Sequence, residues 1–132
     1  MTAFSTAPLI PRRLFFGNPD RTAVQLSPDS AWLGYLAPRD GVLNVWLAPR
    51  DDLAAARPVT QDEGRGVRFF LWAYTNRHIL YIQDKNGDEN WRLYSVDVIT
   101  NALKDLTPFE GVQTQLKHVS HLRPDEVIIG LN

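Results

Sequence analysis

The residues best suited to chemistry in this chain lie in the polar segment Asp84–Asn90 and in a short stretch upstream of it. Carboxylates in the segment can pair with the upstream guanidinium groups, because charge-assisted hydrogen bonds of this kind are among the strongest in proteins. The predicted contact residues are Arg65, Arg68, Asp84, Asp88, Glu89 and Asn90. The residues leave two interpretations open: a solvated turn with weak surface ion pairs, or a functional contact surface.

The same segment superficially resembles a calcium loop. Asp84, Asn86 and Asp88 stand at alternate positions, as the first ligands of a helix-loop-helix calcium site do. However, Glu89 occupies the position where that site requires glycine, and Ser95 occupies the position of the bidentate glutamate. We therefore predict no metal site, and the sequence indicates no cofactor.

Catalysis by this chain alone is not expected. A serine nucleophile elbow needs the pattern Gly-x-Ser-x-Gly, and no serine in the chain has those flanking glycines. The chain also has no cysteine. His78, His118 and His121 have no local acid and serine arrangement, which favours strand-end or turn positions over a catalytic or metal-binding role. We predict no catalytic residue.

Composition favours a globular domain, with 44% hydrophobic and 22% charged residues and a formal net charge of −1. This balance argues against a nucleic-acid partner, and no apolar run approaches the length of a membrane span. The start of the chain lacks the basic region and long apolar centre of a secretion signal. Together with the absence of cysteine, these features predict a cytoplasmic location.

The elements that position these residues come from an internal repeat. Ser27–Thr60 and Ala73–Thr107 run through the same order of apolar runs and turns, about 47 residues apart, a period typical of propeller blades. Trp32–Leu36 matches His78–Ile82 at an offset of 46, and Gly41 matches Gly87. One inserted residue then gives an offset of 47, at which Trp46 matches Leu93.

Each copy predicts four short antiparallel strands, and no stretch shows convincing helical spacing. In the second copy we place them near Arg68–Ala73, Ile79–Gln83, Trp91–Asp97 and Leu103–Leu106. Asn86-Gly87 suits a turn with positive φ at both central residues. In the third strand Leu93 falls on one face and Tyr94 and Val96 on the other, so both faces carry apolar residues, as in a sheet between two neighbours.

The predicted fold is therefore all-β: an incomplete β-propeller of about two and a half four-stranded antiparallel blades. We expect an extended leader over 1–20 and the partial propeller over 21–132, with blade 1 at about 21–61, blade 2 at about 66–108 and the start of blade 3 at about 112–132. Closed propellers need four to eight blades, so the chain is interpreted as a fragment. An unpaired strand edge also predicts possible self-association.

Several residues in order resemble the start of a prolyl oligopeptidase-family serine peptidase. They are Leu14-Phe15-Phe16-Gly17-Asn18-Pro19, Ser27-Pro28-Asp29 and Gly41-Val42-Leu43-Asn44-Val45-Trp46. Trp72-Ala73-Tyr74-Thr75 and Gln83–Trp91 resemble the propeller of that family's dipeptidyl- and acylaminoacyl-peptidase branch. Ser30 departs from the pattern, because that turn usually has glycine, and we expect slight strain there.

The resemblance implies a larger protein with a C-terminal α/β-hydrolase domain, which is the expected partner of this propeller. The propeller would gate the access of peptide substrates, and the Asp84–Asn90 loop would dock the catalytic domain or line the substrate entrance. Two alternatives stay open: a propeller-type protein-interaction module, and a truncated remnant without independent activity.

Overall fold

The computed structural model describes residues 8–16 and 20–132. Within them the strands form two four-stranded antiparallel sheets and one two-stranded hairpin. Sheet 1 contains β1 (Thr22–Leu26), β2 (Trp32–Arg39), β3 (Val42–Pro49) and β4 (Arg57–Pro58). Sheet 2 contains β5 (Phe70–Trp72), β6 (His78–Gln83), β7 (Arg92–Asp97) and β8 (Leu103–Asp105). The hairpin contains β9 (Thr114–Ser120) and β10 (Arg123–Leu131).

The predicted all-β partial propeller is confirmed. Each sheet keeps its strands in chain order, and the hairpin supplies the first two strands of a third blade. The domain boundaries given above stay a prediction. No helix among the described residues is long and apolar enough to cross a membrane.

Two short helical segments lie outside the sheets and were not predicted. Helix α1 (Arg12–Phe16) falls in the expected leader and begins after Pro11, whose carbonyl accepts the N–H of Leu14 at 2.9 Å. A 3-10 helix, Leu53–Ala55, connects β3 to β4. Single turns of this kind are too short to show helical periodicity in a sequence. Residues 17–19 of the resemblance lie outside the described residues.

The main core lies between sheets 1 and 2. Phe70 and Trp72 of sheet 2 pack with Leu36 and Leu47 of sheet 1, and Phe70 is only 1% exposed. Gly34 permits this approach, because a Cβ at that position would lie 3.0 Å from Phe70 Cε2. The sheets also meet at their first strands, where Gln25 Nε2 donates to the Phe70 carbonyl at 2.9 Å.

A second core lies between sheet 2 and the hairpin. Leu80 and Leu93 of sheet 2 are buried there, with Leu116 and Val127 of the hairpin packed against them. Tyr94 packs instead on the core shared with sheet 1. The predicted division of β7 between two apolar faces is confirmed, and burial on both faces is what makes sheet 2 the most enclosed part of the chain.

The aromatic residues largely pack between sheets. Trp72 and Tyr81 belong to the main core, and Trp32 and Tyr94 pack against it. Tyr81 and Tyr94 stack with ring centroids 5.4 Å apart. Trp46 is different, since it is half-buried and donates its indole N–H to the Ala37 carbonyl at 3.1 Å.

The third strands align at an offset of 48 rather than the predicted 47. Tyr35 pairs with Trp46 in sheet 1, and Tyr81 pairs with Tyr94 in sheet 2. Trp46 therefore corresponds to Tyr94, not to Leu93. A slip of one residue exchanges the two faces of a strand. At an offset of 47, Trp46 would correspond to Leu93, which faces the hairpin rather than sheet 1. The fourth strands return to 47, as Pro58 and Asp105 show.

Candidate functional site

The predicted site lies at the end of the sheets where β6 leads to β7 and where the linker from β4 reaches β5. The sequence predicts that carboxylates of the Asp84–Asn90 segment pair with upstream guanidinium groups, and one ion pair of this kind forms between the loop and the linker. Arg65 Nη1 donates to Asp84 Oδ2 at 2.7 Å. The two loops are thus joined across the end of the sheet by a charge-assisted hydrogen bond.

Asp84 is the most enclosed polar group of this site. Its side chain is 1% exposed, whereas that of Arg65 is 45% exposed. Asp84 Oδ2 also accepts the backbone N–H of Glu89 at 3.4 Å. The other oxygen, Oδ1, is buried without a hydrogen-bond partner, as is Gln83 Oε1 beside it. Two adjacent buried acceptors without donors are costly, which makes them the chemically distinctive feature of the loop.

Asp88 and Asn90 build the loop rather than project from it. Asp88 Oδ1 accepts the backbone N–H groups of Lys85 at 3.1 Å and Asn90 at 3.0 Å. The hydrogen bond from the Asn90 N–H, with smaller contributions from that of Lys85, lowers the pKa of the Asp88 carboxyl below its ordinary value. Asn86 and Gly87 have φ of 55° and 83°, which confirms the predicted turn.

Glu89 and Arg68 are brought to the same end of the sheet but are not drawn into the pair. Glu89 is exposed, has a positive φ of 57° and contributes its backbone N–H to Asp84. Arg68 is exposed, and within the described ranges it forms no ion pair with a carboxylate. These two side chains are free to meet an opposing surface.

Sequence reasoning missed the anchor of the linker, which is Asn44 on β3. Asn44 is fully buried, donates from Nδ2 to the Asp62 carbonyl at 3.0 Å, and accepts the Asp62 N–H on Oδ1 at 2.7 Å. Asp62 in turn accepts the N–H of Gly66 through its side chain. A polar residue inside the apolar run Val42–Leu47 was the available signal, because a buried amide must find partners.

These loops enclose a cleft of about 300 Å³, which we call the charged cleft. Three of its lining residues are acidic and two are basic. They are Asp62, Glu63, Asp84, Arg65 and Lys85. Tyr94 forms part of the wall of the cleft. Burial raises the pKa of the neighbouring Tyr81, and the proximity of Tyr94 and Asp62 raises it further. The cleft can bind hydrogen-bond donors, and it contains no nucleophile paired with a base.

His78 and His121 lie at a strand end and in a turn, as predicted, whereas the prediction was wrong for His118, which lies within β9 and pairs with Ile128. His78 begins β6, and its Nδ1 lies 2.9 Å from Thr75 Oγ1. His121 lies in the turn between β9 and β10 and makes an edge contact with Tyr74. Among the described residues no group of three or more histidine, aspartate or glutamate side chains is arranged to hold a metal ion.

No family model matches the chain. Comparison with individual protein sequences, however, shows similarity to a peptidase. The chain is 48% identical over 124 residues to dipeptidyl aminopeptidase BIII of Pseudoxanthomonas mexicana. The match covers 94% of this chain and 18% of that protein. The chain therefore spans about a fifth of the length of this curated relative.

Solved structures agree on the fold. The β-propeller domain of the trilobed protease from Pyrococcus furiosus superposes with a TM-score of 0.61 at 14% identity, over 83% of this chain and 34% of that one. The acylaminoacyl peptidase of Pyrococcus horikoshii gives a TM-score of 0.55 at 13% identity, over 73% of this chain and 19% of that one. At these identities the likeness shows the propeller fold alone.

Proposed function

Because this chain is an N-terminal propeller segment of a prolyl oligopeptidase-family peptidase, we propose that it controls peptide access to an α/β-hydrolase domain of the same parent protein. The observation that carries the proposal is the 48% identity to a dipeptidyl aminopeptidase along nearly the whole chain. The chain itself has no nucleophile elbow. Its contribution is therefore to select substrates rather than to cleave them.

Selection would work by exclusion. Blades arranged around a channel leave a passage that an extended peptide can enter and a folded protein cannot. Such a gate needs a fixed position over the active site. We propose that the end of the sheets bearing the charged cleft faces the hydrolase domain or the substrate entrance.

The exposed charges beside the charged cleft support this orientation. Gln83 Oε1 and Asp84 Oδ1 are buried, so an opposing surface would meet the outer side chains instead. Arg68 and Glu89, both exposed beside the cleft, would form the outer part of the contact.

A chimeric enzyme tests the gate. The matched segment of the Pseudoxanthomonas mexicana dipeptidyl aminopeptidase is replaced by this chain, and cleavage is measured for a short peptide and for a folded protein with the same N-terminal residues. We expect the chimera to cleave the short peptide and to leave the folded protein intact. Arg65→Ala should raise cleavage of the folded protein relative to the peptide, whereas Lys104→Ala, far along the chain on β8, should not.

Equal cleavage of both substrates by a folded, active chimera would refute the gate. Circular dichroism and thermal unfolding of the chimera separate this result from misfolding. If Arg65→Ala and Lys104→Ala behave alike, the gate stands but the charged cleft is not the contact that holds it.

For the chain by itself, we propose self-association through β10, whose outer edge is unpaired among the described strands. Two hairpins paired edge to edge would give a four-stranded sheet, the size of the other two. Ile128 is 61% exposed on this strand. Light scattering over a concentration series should show a dimer that Ile128→Lys weakens and that Leu122→Lys, in the neighbouring turn, does not. A monomer at all concentrations would exclude this association.

A further inference from the structure

Sheet 2 lies between two neighbours and is held to them differently. Sheets 1 and 2 are joined by hydrogen bonds at both ends of their strands. At the linker end, where the charged cleft lies, the N–H of Val67 donates to the Leu43 carbonyl at 2.8 Å. At the far end, where the first strand of each sheet turns into the second, the N–H of Asp29 donates to Asn76 Oδ1 at 2.8 Å. Sheet 1 is therefore fixed to sheet 2 along its whole length.

Sheet 2 and the hairpin are joined by hydrogen bonds at the linker end alone. There the N–H of Thr114 donates to the Trp91 carbonyl at 2.8 Å, and Thr114 Oγ1 donates to Thr107 Oγ1 at 3.1 Å. The described residues form no other hydrogen bond between sheet 2 and the hairpin. At the far end the two turns meet through the ring edges of Tyr74 and His121, with centroids 6.0 Å apart. This boundary is thus tied at one end and untied at the other.

Residue types explain one of the missing ties. Leu71 of β5 corresponds to Gln25 of β1, because Leu71 pairs with Leu80 and Gln25 pairs with Gly34 at equivalent positions. Gln25 Nε2 donates across the boundary to the Phe70 carbonyl at 2.9 Å, whereas a leucine side chain has no donor. The comparison involves first and second strands alone, which sheet 1, sheet 2 and the hairpin all possess. The difference therefore lies in the sequence of sheet 2 itself.

The far end of this boundary is also loosely filled. A cavity of about 230 Å³ lies there between sheet 2 and β10, and His78 and Ser95 line it from sheet 2. The corresponding residues of sheet 1 are Trp32 and Leu47, which pack in the main core against sheet 2. Smaller side chains leave fewer van der Waals contacts across an interface. The sheet 2 face that meets the hairpin is therefore weakest at the end where no hydrogen bond holds it.

We propose that blade 3 hinges on the linker beside Thr114 and opens from sheet 2 at the far end, so that peptides enter the channel between these two blades. This inference rests on the proposed gate and names its entrance. Hinges are formed by a few residues at the ends of elements, and the parts of a protein that move are those with the weakest local contacts. Blades 1 and 2 stay together during the opening, because their hydrogen bonds span both ends.

Reversible cross-links in the chimeric enzyme test this entrance. The chain has no cysteine, so cysteine pairs can be placed in neighbouring turns. Tyr74→Cys with His121→Cys spans blades 2 and 3, and Asp29→Cys with Asn76→Cys spans blades 1 and 2 as the matched control. The folded chimera is treated with a bismaleimide that a reducing agent can cleave. Cleavage of the short peptide is measured before cross-linking, after it and after reduction. The chimera without added cysteines receives the same treatment.

The cross-link between blades 2 and 3 should slow peptide cleavage about tenfold or more, because it holds the entrance closed. Reduction should restore the rate, and the cross-link between blades 1 and 2 should leave it within about twofold. An unchanged rate, with complete cross-linking shown by mass spectrometry, would overturn the proposal, as would equal slowing by both cross-links. Neither outcome would refute the gate, which depends on the comparison of peptide and folded protein in the chimera without cross-links.

Discussion

The hairpin tips of sheets 1 and 2 start from equivalent positions and then diverge. In sheet 1, Asp40 and Gly41 have φ of 51° and 82° and connect β2 to β3 directly, with Arg39 paired to Val42. In sheet 2, Asn86 and Gly87 have nearly the same angles, yet the ladder ends earlier, at Gln83 and Arg92. The two additional residues of sheet 2 turn a tight hairpin into the loop 84–91.

This difference changes the chemistry of the position before the turn. Pro38 of sheet 1 is exposed and continues the ladder opposite Leu43. Its counterpart Asp84 leaves the ladder, is buried and pairs with Arg65. A small insertion thus converts a structural turn into a charged site without altering the sheet beneath it. The experiments below test how far the two repeats are equivalent.

The largest effect is expected where sheet 2 differs from sheet 1, at the Arg65–Asp84 pair. Arg65→Ala leaves the buried Asp84 carboxylate unpaired and should cost about 3 kcal/mol of unfolding free energy. Asp84→Ala leaves only the half-exposed Arg65 and should cost less, about 1–2 kcal/mol. Urea unfolding measures both, with Lys85→Ala as the exposed control. Equal losses for the two variants would contradict the asymmetric burial.

The next effect tests the offset of 48 in the third strands. Tyr94→Trp copies Trp46 and should change the unfolding free energy by less than about 1.5 kcal/mol. Leu93→Trp places the ring in the core beneath the hairpin, where Leu93 is fully buried, and should cost about 1–3 kcal/mol through overpacking. Thermal and urea unfolding of both variants give the comparison. If Leu93→Trp were more stable than Tyr94→Trp, the result would favour the offset of 47.

A smaller effect is expected at the turn between the first and second strands. Ser30 and Asn76 are equivalent and have φ of 60° and 58°, so the strain expected at Ser30 has a geometric basis. Ser30→Gly should stabilise the chain by about 0.5–1 kcal/mol. Asn76→Gly should not, because Asn76 Oδ1 accepts the Asp29 N–H at 2.8 Å. The melting temperature should rise for Ser30→Gly and not for Asn76→Gly. A rise for both variants would show that the hydrogen bond between Asp29 and Asn76 contributes no stability.

The smallest effect is a pH dependence at Asp97, whose counterpart in sheet 1 is Pro49. The hydrogen bond from Arg77, with the N–H groups of Ile99 and Thr100, lowers the pKa of Asp97. A carboxyl whose pKa is lower in the folded state stabilises the fold when the pH is above its unfolded-state pKa of about 4. This stabilisation is lost as the pH falls toward the pKa of the folded state. The difference in unfolding free energy between the wild type and Asp97→Asn should therefore decrease as the pH is lowered from roughly 5 to 2. If this difference did not change with pH, the ion pair between Arg77 and Asp97 would be excluded as its source.

Much of the fold was predictable because its signals are local. Alternating apolar residues, Asn86-Gly87 and the repeat period give the strands and their order. The Arg65–Asp84 contact was also foreseeable, since consecutive blades place their linkers beside the same loop. The one-turn helix after Pro11 and the anchoring by Asn44 were not, because neither leaves a periodic pattern.

By itself, the sequence determined the all-β class, the repeated four-strand unit and the end of the sheet at which charged loops gather. These properties follow from residue periodicity and turn preferences within a few neighbouring positions. Tertiary structure alone decided that the third strands align at 48, that Asp84 rather than Asp88 is buried, and that Phe69 is exposed whereas Phe70 is buried. Each of these depends on contacts between residues distant in the chain, whose relative placement local preferences do not specify.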